Sequence, residues 1–380
     1  MSTKTKILLA FIVVGLLLTA FSLGYGYGLV DDPADPAFAS VQQAWNIILS
    51  DYVENYDIDT EELSQAAIEG MLQLLDDPYT TYLDSDTYQS SLNDLAGEFE
   101  GIGATVSTND EGQIEIIAPL ADSPAAEAGI QPGDIILEID GQSTEGLSLY
   151  EAILKIRGHK GTSVTLTVLH TDETVPVEIM IIRDIIELDS VYLEMAGDIA
   201  VIEITEFNDR TNEELGLTLQ TIAEANAAGI VIDLRSNPGG LLSAVVDVAS
   251  RFLEEGLVVT SVRYNDGYTE VLEANKQSVT TDLPMVVLVD EYSASGSEVL
   301  SGALQGHGRA VIAGTTTYGK GSVNYLEGLV DGSGIYITAA RWLTPGGEMI
   351  EGQGIAPDIE LELEGYEAIQ WAVDYLHGDS

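Results

Sequence analysis

Residues 284–306 read PMVVLVDEYSASGSEVLSGALQG. Met285–Val289 is a short apolar run of strand type, and after Gly296 the residues Val299, Leu300, Ala303 and Leu304 fall at helical spacing. A strand ends, the chain turns sharply, and a helix begins on a serine. Three serines and a tyrosine crowd the stretch from Tyr292 to Ser297. A serine in that place is either a helix cap or a nucleophile, and spacing alone leaves both readings open.

The flanking sequence sets the fold class. Residues 190–362 alternate strand and helix: IAVIEI, then ELGLTLQTIAEANAAG stopped by Gly229, then IVIDLR, the loop SNPGG, LLSAVVDVASRFLEEG and LVVTSVRY. That order predicts an α/β sheet with helical crossovers, whose sites gather beyond strand ends. Two loops at such ends are rich in glycine or hydroxyls, SNPGG at 236–240 and YSASGS at 292–297.

Asp and Glu number 63 against 14 Lys and Arg, a formal charge of −49 over 380 residues. Nucleic acid and anionic lipid headgroups are thereby poor partners, since their phosphates need basic side chains. Such acidity fits a salt-adapted source or a lineage habit of acidic surfaces. The absence of cysteine excludes disulfides and thiol catalysis.

Residues 7–30 are uncharged and mostly apolar, long enough to cross a bilayer as a helix. Lys4 and Lys6 precede the run and no Lys or Arg comes after it until Lys155, which places the N-terminus in the cytoplasm and the rest outside. Ala20-Phe21-Ser22 offers the rival of a cleaved signal peptide, but the length of the run favours an uncleaved anchor. Prolines 33 and 36 mark a short linker, and 31–96 reads as mainly helical, with polar breaks at DIDT and DDPYTTYLD.

From 97 to 184 the texture changes to short strands and two short helices, SPAAEAG and SLYEAILKIRG. A helix beside an open strand can bind an extended peptide at the sheet edge. GIQPGDIILEIDGQS with the upstream EGIGATV resembles a PDZ domain of the bacterial protease-associated type. The resemblance implies that the backbone amides of Gly101, Ile102 and Gly103 receive a substrate's terminal carboxylate. Arg157, in KIRGHKGT, is a candidate to couple that binding to the rest of the protein.

A serine nucleophile needs a base. Of four histidines, His307 is the one plausible candidate, and QGHGRA makes it a helix-end residue. Lys320 lies between Gly319 and Gly321 in TTTYGKGSVN. The next residues, SVNYLEGLV, read as extended chain rather than helix, so this is not a phosphate-binding loop. Held in an apolar, water-poor site, a lysine loses affinity for its proton and can act as a general base. On its own, GKG reads better as a surface turn with a solvated lysine.

The ordered set LLDDPYTTYLD, GEFEGIGATV, SASGSEVLSGALQGHGRAVIAGTTTYGKGSVN and DGSGIYITAARWLTPGGEMIEGQGIAPDI resembles the carboxyl-terminal processing peptidases, also called tail-specific proteases, over roughly 38–375. The resemblance implies a serine endopeptidase with an α/β core of the crotonase or Clp-protease type at 185–362. Around it stand an anchor at 1–30, a helical region at 31–96, a PDZ domain at 97–184 and a C-terminal helix and tail at 363–380. It implies Ser295 as nucleophile, Lys320 as base, and the N–H groups of Gly296 and Gly240 as oxyanion donors, without metal or cofactor. Two positions depart from the family: Gly296 stands where alanine is common, and Asn324 where a glutamine often orients the lysine. Expected partners are proteins or peptides with free C-termini and the membrane, with homo-oligomerisation left open. The alternative is a membrane-anchored PDZ adaptor whose catalysis is weak or lost.

Overall fold

The computed structural model describes residues 36–378 except 110, 148, 172 and 364. The run at 7–30, expected from sequence to be a membrane helix, lies outside the described residues. Among those described, no helix is long and apolar enough to cross a membrane. The chain divides into two compact units, one up to Gly70 and one from Met71 onward.

In the first unit, helix α1 (Pro36–Asp51) is followed by a single 3-10 turn and the start of α2 (Thr60–Gln73). Asp59 caps α2 by accepting the Glu61 N–H at 2.8 Å. In the second unit, part of the polar break DDPYTTYLD pairs as a strand, β1 (Thr81–Leu83). Helix α3 (Ser85–Ala96) follows, begun by the Asp84 carboxylate on the Thr87 N–H and ended by Gly97 at φ 74.

The region expected to be a PDZ domain is a sheet of β3 (Ala104–Thr108), β4 (Ile114–Pro119), β5 (Ile135–Ile139), β7 (Ser163–Leu169) and β8 (Val177–Ile182), with the short β6 (Gln142–Ser143) on β5. Helices α4 (Pro124–Ala128) and α5 (Leu149–Ile156) complete it. Alternation along β7 turns Val164, Leu166 and Val168 inward, onto Ile136, Ile139 and Ala152. A two-stranded ribbon of β2 (Glu98–Gly101) and β9 (Asp184–Glu187) ties the two ends of this region together.

The α/β core is a six-stranded sheet ordered β10 (Val191–Ala196), β11 (Ile199–Ile204), β12 (Gly229–Asp233), β15 (Met285–Val289), β16 (Val311–Gly314) and β19 (Ile359–Glu360). From β11 to β19 the pairs are parallel, as the strand–helix alternation requires. Both faces are covered. Ile230, Ile232 and Val287 pack on α6 (Thr211–Ala225), α7 (Leu242–Ala249) and α8 (Gly296–Gly306). Val231, Val286 and Leu288 pack on α9 (Gly365–His377). Gly229 does not stop α6: Asn226 caps it at φ 55, and Gly229 opens β12. Asparagine tolerates the left-handed region, so the helix ends before the glycine is reached.

A second sheet packs on the same core through Val259 and Trp342. In it β18 (Gly334–Leu343) pairs with β1, with β17 (Ser322–Gly328) and with β13 (Val258–Tyr264), which in turn holds β14 (Thr269–Glu273). Segments 81–83, 322–328 and 334–343 thus meet in one sheet, although some 240 residues separate the first two.

Candidate active site

The wholly buried β15 delivers the chain to a turn in which each serine has a separate task. The Ser293 hydroxyl donates to the Leu234 carbonyl at 2.9 Å, that of Ser297 to the Asn237 carbonyl at 3.0 Å, and that of Ser301 to the Ser297 carbonyl at 2.7 Å. Ser295 sits at φ 51, ψ −108. A plain N-cap lies in the β region, and a non-glycine residue at positive φ costs about 1–3 kcal/mol. The conformation is held by the Glu298 carboxylate, which accepts the Ser295 N–H at 2.8 Å.

Glu298 also fixes the lysine loop. Its Oε2 accepts the Lys320 N–H at 3.0 Å, and its Oε1 accepts the Gly319 N–H at 2.8 Å and the Thr317 hydroxyl at 2.6 Å. The side chain is fully buried. Burial pushes its pKa up, against the pull of these donors. One carboxylate therefore ties the backbone of residue 295 to that of residue 320. Sequence reading missed it, although SGSE carries the S-x-x-E signature of a capping box.

Ser295, Lys320, Gly240, Gly296 and Asn324 line one cleft of about 370 Å³. Its walls are apolar: Leu241 and Leu242, Val323 and Leu326, and, unforeseen from sequence, Leu92 and Leu95 of α3. Burial pushes the Lys320 pKa down, opposed by Glu351, Glu298 and Asp77. Its Nζ lies 5.2 Å from the centre of the Tyr79 ring and 5.7 Å from that of Tyr336.

The two glycines are shaped by close backbone approach. Gly240, at φ 142, would put a Cβ 2.1 Å from the Phe207 carbonyl oxygen. The bonds Phe207 N–H to Gly239 O (2.9 Å) and Leu241 N–H to Phe207 O (2.7 Å) flank it. The Gly240 and Gly296 N–H groups have no hydrogen-bond partner among the described residues. A Cβ on Gly296 would lie 2.8 Å from Val245 Cγ2 and 3.0 Å from Phe207 Cδ2, so glycine suits the packing here.

Asn324 lines the cleft, but its amide is committed elsewhere. Its oxygen accepts the Ser322 hydroxyl at 3.0 Å, and its nitrogen donates to the Tyr79 carbonyl at 3.0 Å and to Thr338 Oγ1 at 3.1 Å. It joins the turn before β1 to β17 and β18. His307 caps the far end of the 11-residue α8, about 18 Å along the axis from Ser295, and its ring nitrogen meets the Val258 carbonyl at 2.8 Å.

A second cleft, of about 300 Å³, lies between β3 and α5 and is lined by Gly101, Ile102, Gly103 and Arg157 with Ile153 and Ile156. The Ile102 and Gly103 N–H groups have no partner among the described residues, while their carbonyls accept from Ala125 (2.8 Å) and Leu120 (2.9 Å). Arg157 stacks on Phe99 at 5.3 Å, in this groove and not in the first cleft.

Known proteins resemble this chain in sequence and in fold. The family model described as Peptidase family S41 matches residues 198–361, that of the PDZ domain 93–169, and that of the Activating protease CtpB N-terminal domain 30–87. The chain is 38% identical over 358 residues to Carboxy-terminal processing protease CtpA of Bacillus subtilis (strain 168), covering 93% of this chain and 76% of that one. It is 40% identical over 326 residues to the Carboxyl-terminal-processing protease of Synechocystis sp., covering 84% and 76%. The solved photosystem II D1 C-terminal processing protease aligns with a TM-score of 0.51 at 28% identity, covering 80% of this chain and 83% of that one.

Proposed function

Because the chain belongs to peptidase family S41 and is a carboxy-terminal processing serine protease, we propose that it cleaves proteins through a Ser295–Lys320 dyad after its PDZ domain has captured their free C-terminal carboxylate. The observation that carries this reading is the shared cleft: a hydroxyl on a strained turn, a lysine whose charge burial disfavours, and two unpaired N–H groups. Neutral Lys320 takes the Ser295 proton as Oγ attacks the substrate carbonyl. The oxyanion is met by the N–H groups of Gly240 and Gly296. The ammonium returns its proton to the leaving amine, and water then releases the acyl group. The unpaired Ile102 and Gly103 amides support carboxylate capture in the second cleft, with Arg157 beside them. The run at 7–30 behind Lys4 and Lys6 supports, from sequence, a membrane anchor with the peptidase outside the cytoplasm.

The test is product mass analysis with an unfolded protein substrate. Ser295→Ala and Lys320→Ala each abolish turnover, and the double variant loses little more, since the pair acts as a unit. The parent's activity rises with pH along a limb below the ordinary lysine range. A free acid substrate is captured about tenfold better than its C-terminal amide. Turnover by Lys320→Ala refutes the dyad, and equal kinetics for acid and amide refute carboxylate recognition.

A further inference from the structure

Lys320 presents an electrostatic problem that the dyad alone does not solve. As general base it must be neutral before attack and charged after it, inside a cleft where burial disfavours the charge. Carboxylates face it from three elements: Glu298 on α8, Glu351 after β18, and Asp77 before β1. Among the described residues none forms an ion pair with it, and the Glu351 carboxylate lies instead 3.8 Å from Arg341 Nε. A carboxylate in contact would hold the ammonium permanently and leave no base. Two aromatic rings also stand at Nζ, those of Tyr79 and Tyr336, with their centres at 5.2 and 5.7 Å.

We propose that Tyr79 and Tyr336 form an aromatic clamp that receives the Lys320 ammonium as it forms and fixes the amine beside Ser295. The proposal rests on the reading of Lys320 as the base. A ring face favours a cation by about two- to thirtyfold in its protonation equilibrium, enough to stabilise the forming charge and too little to lock it.

The rings are built in. Tyr336 lies within β18, opposite Leu326 of β17 and Thr81 of β1. Tyr79 is held by its own backbone: its N–H donates to Asp77 Oδ1 at 3.0 Å and its carbonyl accepts Asn324 Nδ2 at 3.0 Å. The next residue, Thr80, receives the Thr338 N–H on Oγ1 at 3.1 Å. Burial and the neighbouring Tyr318 hydroxyl hold the Tyr79 phenol above its ordinary pKa. Asn324 thus acts on the base indirectly, by holding the segment that carries the ring. Both tyrosines are positioning residues.

The experiment measures acylation rate against pH for the full chain and for Tyr79→Leu, Tyr79→Phe and Lys320→Ala, each corrected for folded fraction. Tyr79 does not line the substrate cleft, so its replacement leaves the cleft walls in place. In Tyr79→Leu the plateau falls about tenfold or more, and the acid limb moves about half a pH unit or more downward, because the ammonium has lost a ring. Tyr79→Phe keeps the ring face, retains most of the rate and keeps the parent's limb. Should Tyr79→Leu not fold, Tyr336→Leu is read by its acid limb alone against Tyr336→Phe, because Tyr336 also lines the cleft. A leucine variant with the parent's limb and plateau, or equal losses in leucine and phenylalanine, overturns the clamp while Lys320→Ala stays inactive. An active Lys320→Ala overturns the base assignment, and the clamp with it.

Discussion

Glu298→Gln tests whether one buried carboxylate holds the site together. Its two oxygens accept from Ser295 N, Lys320 N, Gly319 N and Thr317 Oγ1. Glutamine keeps the shape but replaces one oxygen with an NH2 group. In the milder placement that group takes the Oε1 position, facing the Gly319 N–H; Thr317 can turn its hydroxyl, but the backbone donor is left unpaired. The opposite placement would orphan both Ser295 and Lys320. An unmet buried donor costs about 1–3 kcal/mol, and the surviving bonds lose roughly 1 kcal/mol each with the charge. Relief from burying a carboxylate offsets part of this. The net expectation is a loss of about 2–4 kcal/mol in urea unfolding. Acylation per folded molecule falls about tenfold, and a hundredfold or more in Glu298→Ala, which frees the backbones of both members of the proposed dyad. The rate constant carries the loss, while KM stays near the parent's. A glutamine variant with the parent's stability and acylation rate refutes the reasoning.

Single contacts carry three further expectations. Asn324→Ala removes two donated bonds and one accepted bond; it should lower stability by about 1–3 kcal/mol and slow acylation with little change in substrate binding, and an unchanged acylation rate would confine Asn324 to structure. Gly296→Ala places a Cβ 2.8 Å from Val245 Cγ2, so acylation should fall and the added change Val245→Ala should restore part of it; a Gly296→Ala enzyme as fast as the parent would refute the packing argument. The Asp77 carboxyl is raised by burial but held below its ordinary pKa overall by Thr338, the Tyr79 N–H and Thr80. Its folded pKa is the lower one, so its contribution is full above about pH 3.9 and is lost as pH falls through the folded value; acid unfolding of Asp77→Asn with the parent's pH dependence would contradict this.

Much of the molecule was legible because its signals are local. Strand and helix periods at 199–204, 229–233 and 285–289 gave a parallel sheet, and the motifs at 236–240, 292–297 and 319–321 fell at or near strand ends, where the structure brings them into one cleft. The residues that escaped reading are those whose partners are distant in sequence. SGSE looks like an ordinary capping box until Thr317–Lys320 is folded against it, and only then does Glu298 become the bond between two loops. DDPYTTYLD reads as a polar break because β1 is three residues long and has no period of its own; its pairing with β18 lies some 250 residues away. The departures at 296 and 324 also make sense only in pairs. Glycine at 296 answers Val245 and Phe207, and asparagine at 324 answers a Tyr79 carbonyl that β1 brings within 3.0 Å. The shorter amide spans that gap and spends its donors there. On the proposed reading, Lys320 is steadied by the Tyr79 segment that Asn324 holds in place.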